Sequence, residues 1–71
     1  MNKYLLSMHM AKHGDDQQKL AEALGITRVQ LNRKINEHGG VFNKNEMTFI
    51  RDRYHLTDEE FASCFFAENV S

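Results

Sequence analysis

Arg28, Val29, Asn32 and Arg33 are the residues of this chain whose types and spacing carry a recognisable chemistry. A helix through them, at about 100° per residue, turns Leu31 and Ile35 to one side. Val29, Arg33 and Asn36 then lie opposite, flanked by Asn32 and Gln30. Arg28 falls at the edge of the apolar side, but from the first turn its length lets it reach outward. This outward set matches the edges of base pairs in a major groove. Arginine offers a bidentate donor fork to guanine, asparagine a donor and an acceptor to adenine, and an outward valine an apolar contact to a thymine methyl. Between Gly25 and Asn36 stand Arg28, Arg33 and Lys34 and no acid, so the face is locally cationic.

The elements that must position these side chains are legible around them. Residues 17–36, QQKLAEALGITRVQLNRKIN, form two short helices joined by a tight turn. Leu20, Ala21 and Leu24 give the first helix an inward stripe, and Ala21 is small where the second helix must cross closely. Gly25 stands where the chain must stop and turn, a place that favours positive φ. Thr27 is the N-cap of the second helix, Gln30 its capping-box partner, and Ile26 with Leu31 the hydrophobic staple.

With Leu20, Ala21, Gly25, Ile26, Thr27, Leu31 and Ile35 at these intervals, the run Gln17 to Asn36 resembles the Cro and repressor-type helix-turn-helix family of temperate phages and bacterial regulators. The stretch VFNKNEMTFIRDRYHLTDEEFASCFF is similar to the last two helices of small phage-encoded members. One position departs: Lys34 stands where an apolar residue often falls, and Ile35 takes that role. The resemblance implies an all-α, compact five-helix, lambda-repressor-like domain over residues 1–71, with the motif at 17–36 and a recognition helix at 27–37. Arg28, Val29, Asn32 and Arg33 would read bases. Gln17 and Thr27, at the helix beginnings that approach phosphate in this family, would position the DNA backbone. Lys34, Asn36 and Lys44 join them, Lys44 from its place at the start of the fourth helix. The expected function is a sequence-specific regulator that occupies operator DNA as a homodimer, its half-sites about 34 Å apart. The alternative, from the acidic C-terminal half and its phenylalanines, is an antirepressor or modulator of repression that binds a phage repressor protein.

Five helices are expected in all. The first runs from about Asn2 to His13, with Tyr4, Leu5, Met8 and Ala11 inward and Gly14 ending it; Asp15 or Asp16 caps the second. The third ends near His38, where Gly39 and Gly40 break the pattern. Phe42, Asn43, Glu46 and Met47 then make a staple and capping box for a helix from Lys44 to Tyr54, with Met47, Ile50 and Tyr54 inward. Leu56, Thr57, Glu60 and Phe61 make another for a helix from Asp58 to Ala67. Phe61, Phe65 and Phe66 give this last helix a dense aromatic surface. It either completes the core or associates with a protein partner.

Composition bounds the alternatives. Seventy-one residues make one small domain, without room for an enclosed multi-step active site. With no proline and 41% hydrophobic residues, the chain suits a folded helical domain rather than a disordered tail. Its net charge of −1 runs against nucleic-acid binding, but the charge is segregated. Residues 1–38 hold six Lys/Arg and four Asp/Glu, a balance of +2, whereas residues 39–71 hold three and six, a balance of −3. His9 and His13 have metal-binding spacing but no third ligand at a diagnostic interval, and are expected at the surface or its boundary. Cys64 reads as a buried structural thiol, and no nucleophile constellation or phosphate loop is present. No enzymatic activity, cofactor or metal is therefore expected. No apolar run has membrane-spanning length and no signal pattern opens the chain, which predicts a cytoplasmic protein without a membrane partner.

Overall fold

The computed structural model describes residues 2–36 and 42–66. Within them the chain forms α1 (Lys3–Lys12), α2 (Gln17–Leu24), α3 (Arg28–Asn36), α4 (Lys44–Tyr54) and α5 (Asp58–Phe65). No strand occurs among the described residues, and the fold is an all-α helix-turn-helix domain. The expected ends of the third helix near His38 and of the fifth at Ala67 lie outside the described residues.

Each helix begins on a side chain that satisfies its free N–H groups. Asn2, Asp16, Asn43 and Thr57 cap α1, α2, α4 and α5. In α3 the Thr27 hydroxyl accepts from Gln30 N–H at 3.0 Å, while Gln30 Oε1 accepts from Thr27 N–H at 2.9 Å. The same reciprocal box closes at Asn43/Glu46 and Thr57/Glu60. Of the two candidate caps for α2, Asp16 takes the role and Asp15 is released for another.

Three helices stop in one way. Gly14 (φ 71°), Gly25 (φ 75°) and His55 (φ 53°) are left-handed. After α2, Ile26 N–H reaches back to Ala21 O at 3.0 Å and Gly25 N–H to Glu22 O at 3.1 Å, the paired bonds of a Schellman turn. Leu56 N–H to Arg51 O and His55 N–H to Asp52 O repeat it after α4. Histidine is among the few residues with a Cβ that enter this region with some frequency, so no glycine marks that stop.

The core joins all five helices through Leu6, Met10, Leu20, Ala21, Leu31, Ile35, Phe42, Ile50, Tyr54, Leu56, Cys64 and Phe65. Ile26, Leu24, Met47 and Phe61 pack against it half-buried. The predicted inward face of α1 is corrected at three of its four positions, Leu5 alone packing half-buried against the core. Tyr4 is 77% and Met8 46% exposed, and Ala11 is exposed as well. The helix instead buries Leu6, Met10 and His9, the last at 4% exposure, so His9 is a core residue and not a surface one. Burial also pushes the Cys64 thiol upward from its ordinary pKa, in keeping with a structural role.

Asp15 ties the first half of the chain to α4. Its Oδ2 accepts from Arg53 Nε at 2.7 Å and from Tyr54 OH at 2.7 Å, and its Oδ1 accepts from Arg53 Nη2 at 3.1 Å. This bidentate pair fixes the α1–α2 turn against α4 and so helps set the platform on which α2 and α3 sit.

Candidate nucleic-acid interface

The outer surface of α3 is built by the periodicity of its sequence. Leu31 and Ile35 are buried, and the opposite strip carries Val29 at 63% exposure with Arg28, Asn32 and Arg33 exposed beside it. Val29 offers an apolar contact in the middle of an otherwise polar strip. The structure thus brings Arg28, Val29, Asn32 and Arg33 to one continuous surface.

Neighbouring helices border the strip on both flanks. On one side Asn32 Nδ2 donates to Gln17 Oε1 of α2 at 3.4 Å, and Asn36 Oδ1 accepts from Lys3 Nζ of α1 at 3.0 Å. Asn36 Nδ2 in turn donates to Asn32 O at 2.9 Å. These bonds join the starts of α1 and α2 to the length of α3. On the other side Lys34 Nζ lies 3.2 Å from Glu46 Oε1 of α4. Lys34, expected to meet the DNA backbone, is 21% exposed and bridges α3 to α4 in the free protein. Thr27 and Lys44 are exposed at the starts of α3 and α4, and Gln17 is half-buried at the start of α2.

Cation pairing divides the molecule along the same line. Arg53 is held by Asp15, Arg51 lies 3.5 Å from Asp52, and Lys34 meets Glu46. Among the described residues, no carboxylate lies within ion-pair distance of Lys3, Arg28, Arg33 or Lys44. Lys12 and Lys19 lack such a partner too, Lys19 meeting Gly14 O at 3.3 Å, so the net-acidic chain keeps its cations without an ion pair on α1, α2 and α3 and at the start of α4. Such a distribution supplies phosphate attraction locally even when the whole molecule does not.

Residues 1–38, which span α1, α2 and α3, match the family model of bacterial regulatory proteins of the Fis family. The chain belongs to the Fis family. Its helix-turn-helix is that of a bacterial DNA-binding transcription regulator. No curated protein and no solved structure matches the chain. The Cro and repressor type suggested by the sequence resemblance is a finer reading than this family match supplies.

Elsewhere the Fis-family chain holds little competing chemistry. His13 stacks on Tyr54 with ring centroids 5.3 Å apart, and among the described residues no group of three metal-ligating side chains gathers. No helix among them is long and apolar enough to cross a membrane. Of the three phenylalanines expected at a protein interface, Phe65 is buried in the core, Phe61 is half-buried against it, and Phe66 is 59% exposed. Sequence reasoning missed Lys3. Its bond to Asn36 joins positions 33 residues apart, and no local pattern encodes such a contact.

Proposed function

We propose that this regulator is of the phage Cro or repressor type and binds operator DNA in a sequence-specific way through α3. The observation that carries the reading is the exposed strip Arg28, Val29, Asn32 and Arg33, whose cations have no carboxylate partner among the described residues. Arg33 and Arg28 fit guanine, Asn32 fits adenine, and Val29 fits a thymine methyl. Gln17 holds one N–H of the Asn32 amide, leaving its other N–H and its carbonyl oxygen for a base edge. Thr27, Gln17, Asn36 and Lys44 surround the strip where DNA phosphates would run, and Lys34 joins them by leaving Glu46 on binding.

One α3 offers few base contacts, so two copies are required for high specificity, related by a two-fold axis that matches a palindromic operator. The test is direct binding of the protein to DNA from its own promoter region, compared with binding to an adjacent repressor protein. Arg33→Ala is expected to cost about 1–3 kcal/mol on the preferred site and relax discrimination at one base position. A folded Arg33→Ala protein with unchanged affinity and specificity would remove α3 from the role of reader.

A second reading rests on α5. Its exposed Phe66 and acidic first turn, Asp58, Glu59 and Glu60, suit contact with a basic regulator such as a phage repressor, in the manner of an antirepressor. Binding to the repressor with no DNA affinity would favour it.

A further inference from the structure

We infer that Lys3, on α1, is a DNA-phosphate anchor that serves the groove wall opposite to Lys44. The inference rests on the proposed function and extends the interface to a helix outside the helix-turn-helix. A major groove is bounded by two phosphate backbones, about 12 Å apart across the groove, and a helix lying in it needs charge on both flanks. On the α4 flank Lys44 supplies it. On the other flank the bordering residues are Gln17, Asn32 and Asn36, all neutral, and the cation that reaches them is Lys3.

The geometry suits this task. Lys3 is exposed, and its ammonium is fixed 3.0 Å from Asn36 Oδ1 at the last residue of α3. An ammonium has three donors, so one bond to asparagine leaves donors for a phosphate oxygen. Asn36 is itself held by Asn32 O, so the ammonium is placed relative to the reading strip rather than left to wander. The Tyr4 ring lies 5.6 Å from Lys3 Nζ and narrows its range further.

The position also makes poor sense for stability alone. Lys3 is the first residue of α1, at the positive end of the helix dipole, and no acid stands in that first turn to offset it. Lys44 is likewise the first residue of α4. Apart from α3 itself, which opens on Arg28, α1 and α4 each open on a cation where the dipole disfavours one, and both openings border α3. A phosphate between the cation and the reading strip turns that cost into attraction.

The test measures binding of the full chain to a mixed-sequence duplex two helical turns long, across a salt range of roughly 50–200 mM. Lys3→Gln is expected to lower the salt slope by about one unit, as Lys44→Gln does, and the double variant by about two. Lys3→Arg should restore the slope. Lys12→Gln is the charge control, since Lys12 lies on α1 toward Glu60 and away from Asn36. The thermal midpoint of Lys3→Gln should hold or rise. A slope for Lys3→Gln equal to wild type, an equal loss in Lys12→Gln, or a lowered midpoint would each overturn the inference while leaving the functional reading intact. Wild-type protein that binds no duplex would overturn both.

Discussion

α3 and α5 open on the same device and then diverge. Each begins with threonine, Thr27 or Thr57, whose hydroxyl accepts from the N–H three residues on, and whose own N–H is taken by the side chain there. In α5 that partner is Glu60, and Asp58 and Glu59 precede it. In α3 the partner is the neutral Gln30, preceded by Arg28 and Val29, and the first turn holds no acid. Carboxylates in a first turn stabilise a helix through its dipole. α3 forgoes that stabilisation and keeps its positive end available to an outside anion, whereas α5 neutralises its own. The contrast extends to the chain as a whole. The first turns of α1, α2 and α3 contain no acid, while those of α4 and α5 do, and the family match covers the former set.

Asp15 adds a polar tie between two differently charged halves that already share one core, and its removal should have the largest effect. Asp15→Ala strands the Arg53 guanidinium and the Tyr54 hydroxyl and is expected to cost about 2–4 kcal/mol by denaturant titration. The Arg53 donors, aided by Tyr54 OH, hold the Asp15 carboxyl below its ordinary value of 3.8 against the opposing effect of burial. A lowered folded pKa gives stability that is present above 3.8 and lost as pH falls through the folded value. Burial, with Asp15 beside it, raises Tyr54 above its ordinary 10.0, so the tyrosine's share persists below that pH and fades above it. The acid limb of the wild-type stability curve should therefore be flattened in Asp15→Ala. Loss of α1–α3 signals alone, with α4 and α5 still cooperatively folded, would show that the halves are separate units.

Gly25→Val comes next. No heavy atom would lie within 4 Å of an added Cβ, so the cost begins with the left-handed backbone at φ 75°, which a β-branched residue tolerates poorly. About 1–2 kcal/mol is expected, read as a lowered thermal midpoint. Operator affinity should fall further than stability explains, because the turn sets the angle of α3. An equal loss in both would reduce Gly25 to a stop signal.

The start of α3, its outward strip and the Lys44–Tyr54 helix were legible because caps, boxes and apolar spacing agree there. The face of α1 was not. Tyr4, Leu5, Leu6, Met8, Met10 and Ala11 place apolar side chains all around that helix, so spacing alone favours no direction. The stripe that is truly buried includes His9, which a hydrophobic pattern cannot select. Charge alone assigns Lys34 to the DNA backbone, and its contact with Glu46 on another helix in the free protein is not legible in the local sequence. Asp15 and Asp16 were equivalent as caps until Arg53, 38 positions away from Asp15, separated them. Local signals specified the elements, and long-range polar contacts decided which side chains remained available.

Paired cap removal sharpens the contrast between α3 and α5. Thr27→Ala and Thr57→Ala should each cost about 1 kcal/mol in stability, since each deletes one cap of the same geometry. Only Thr27→Ala should also weaken DNA binding, measured on a duplex at fixed salt. Equal loss of binding in both variants would trace the effect to stability.

Giving α3 the charge pattern of α5 tests the trade directly. Arg28→Glu places an acid in the first turn of α3 and is expected to stabilise the domain by about 0.3–1 kcal/mol. DNA affinity should collapse, because an available cation becomes an anion on the reading strip. A destabilised variant would contradict the dipole argument, and one that retains affinity would contradict the strip.

The smallest expected effect on stability, and the one that decides what α5 is for, belongs to Phe66. Its ring is 59% exposed and meets Phe61 edge-on at 5.8 Å, whereas Phe65, one residue earlier, lies in the core against Phe42. Adjacent residues of one helix end thus have opposite environments. Phe66→Ser should change stability by less than about 0.5 kcal/mol, as surface substitutions do, with helicity preserved by circular dichroism. Phe65→Ser should cost several-fold more, because it buries a hydroxyl and leaves a cavity. If the exposed ring carries association, sedimentation of Phe66→Ser will show a weakened dimer on operator DNA, or weakened capture of a repressor by the antirepressor reading. The carboxylates in the first turn of α5 disfavour approach to phosphate, so on the proposed reading affinity of a single copy for a half-site should stay at the wild-type value. A loss of half-site affinity in Phe66→Ser, with mass and stability unchanged, would place α5 on the DNA and end the division of labour between the two helices.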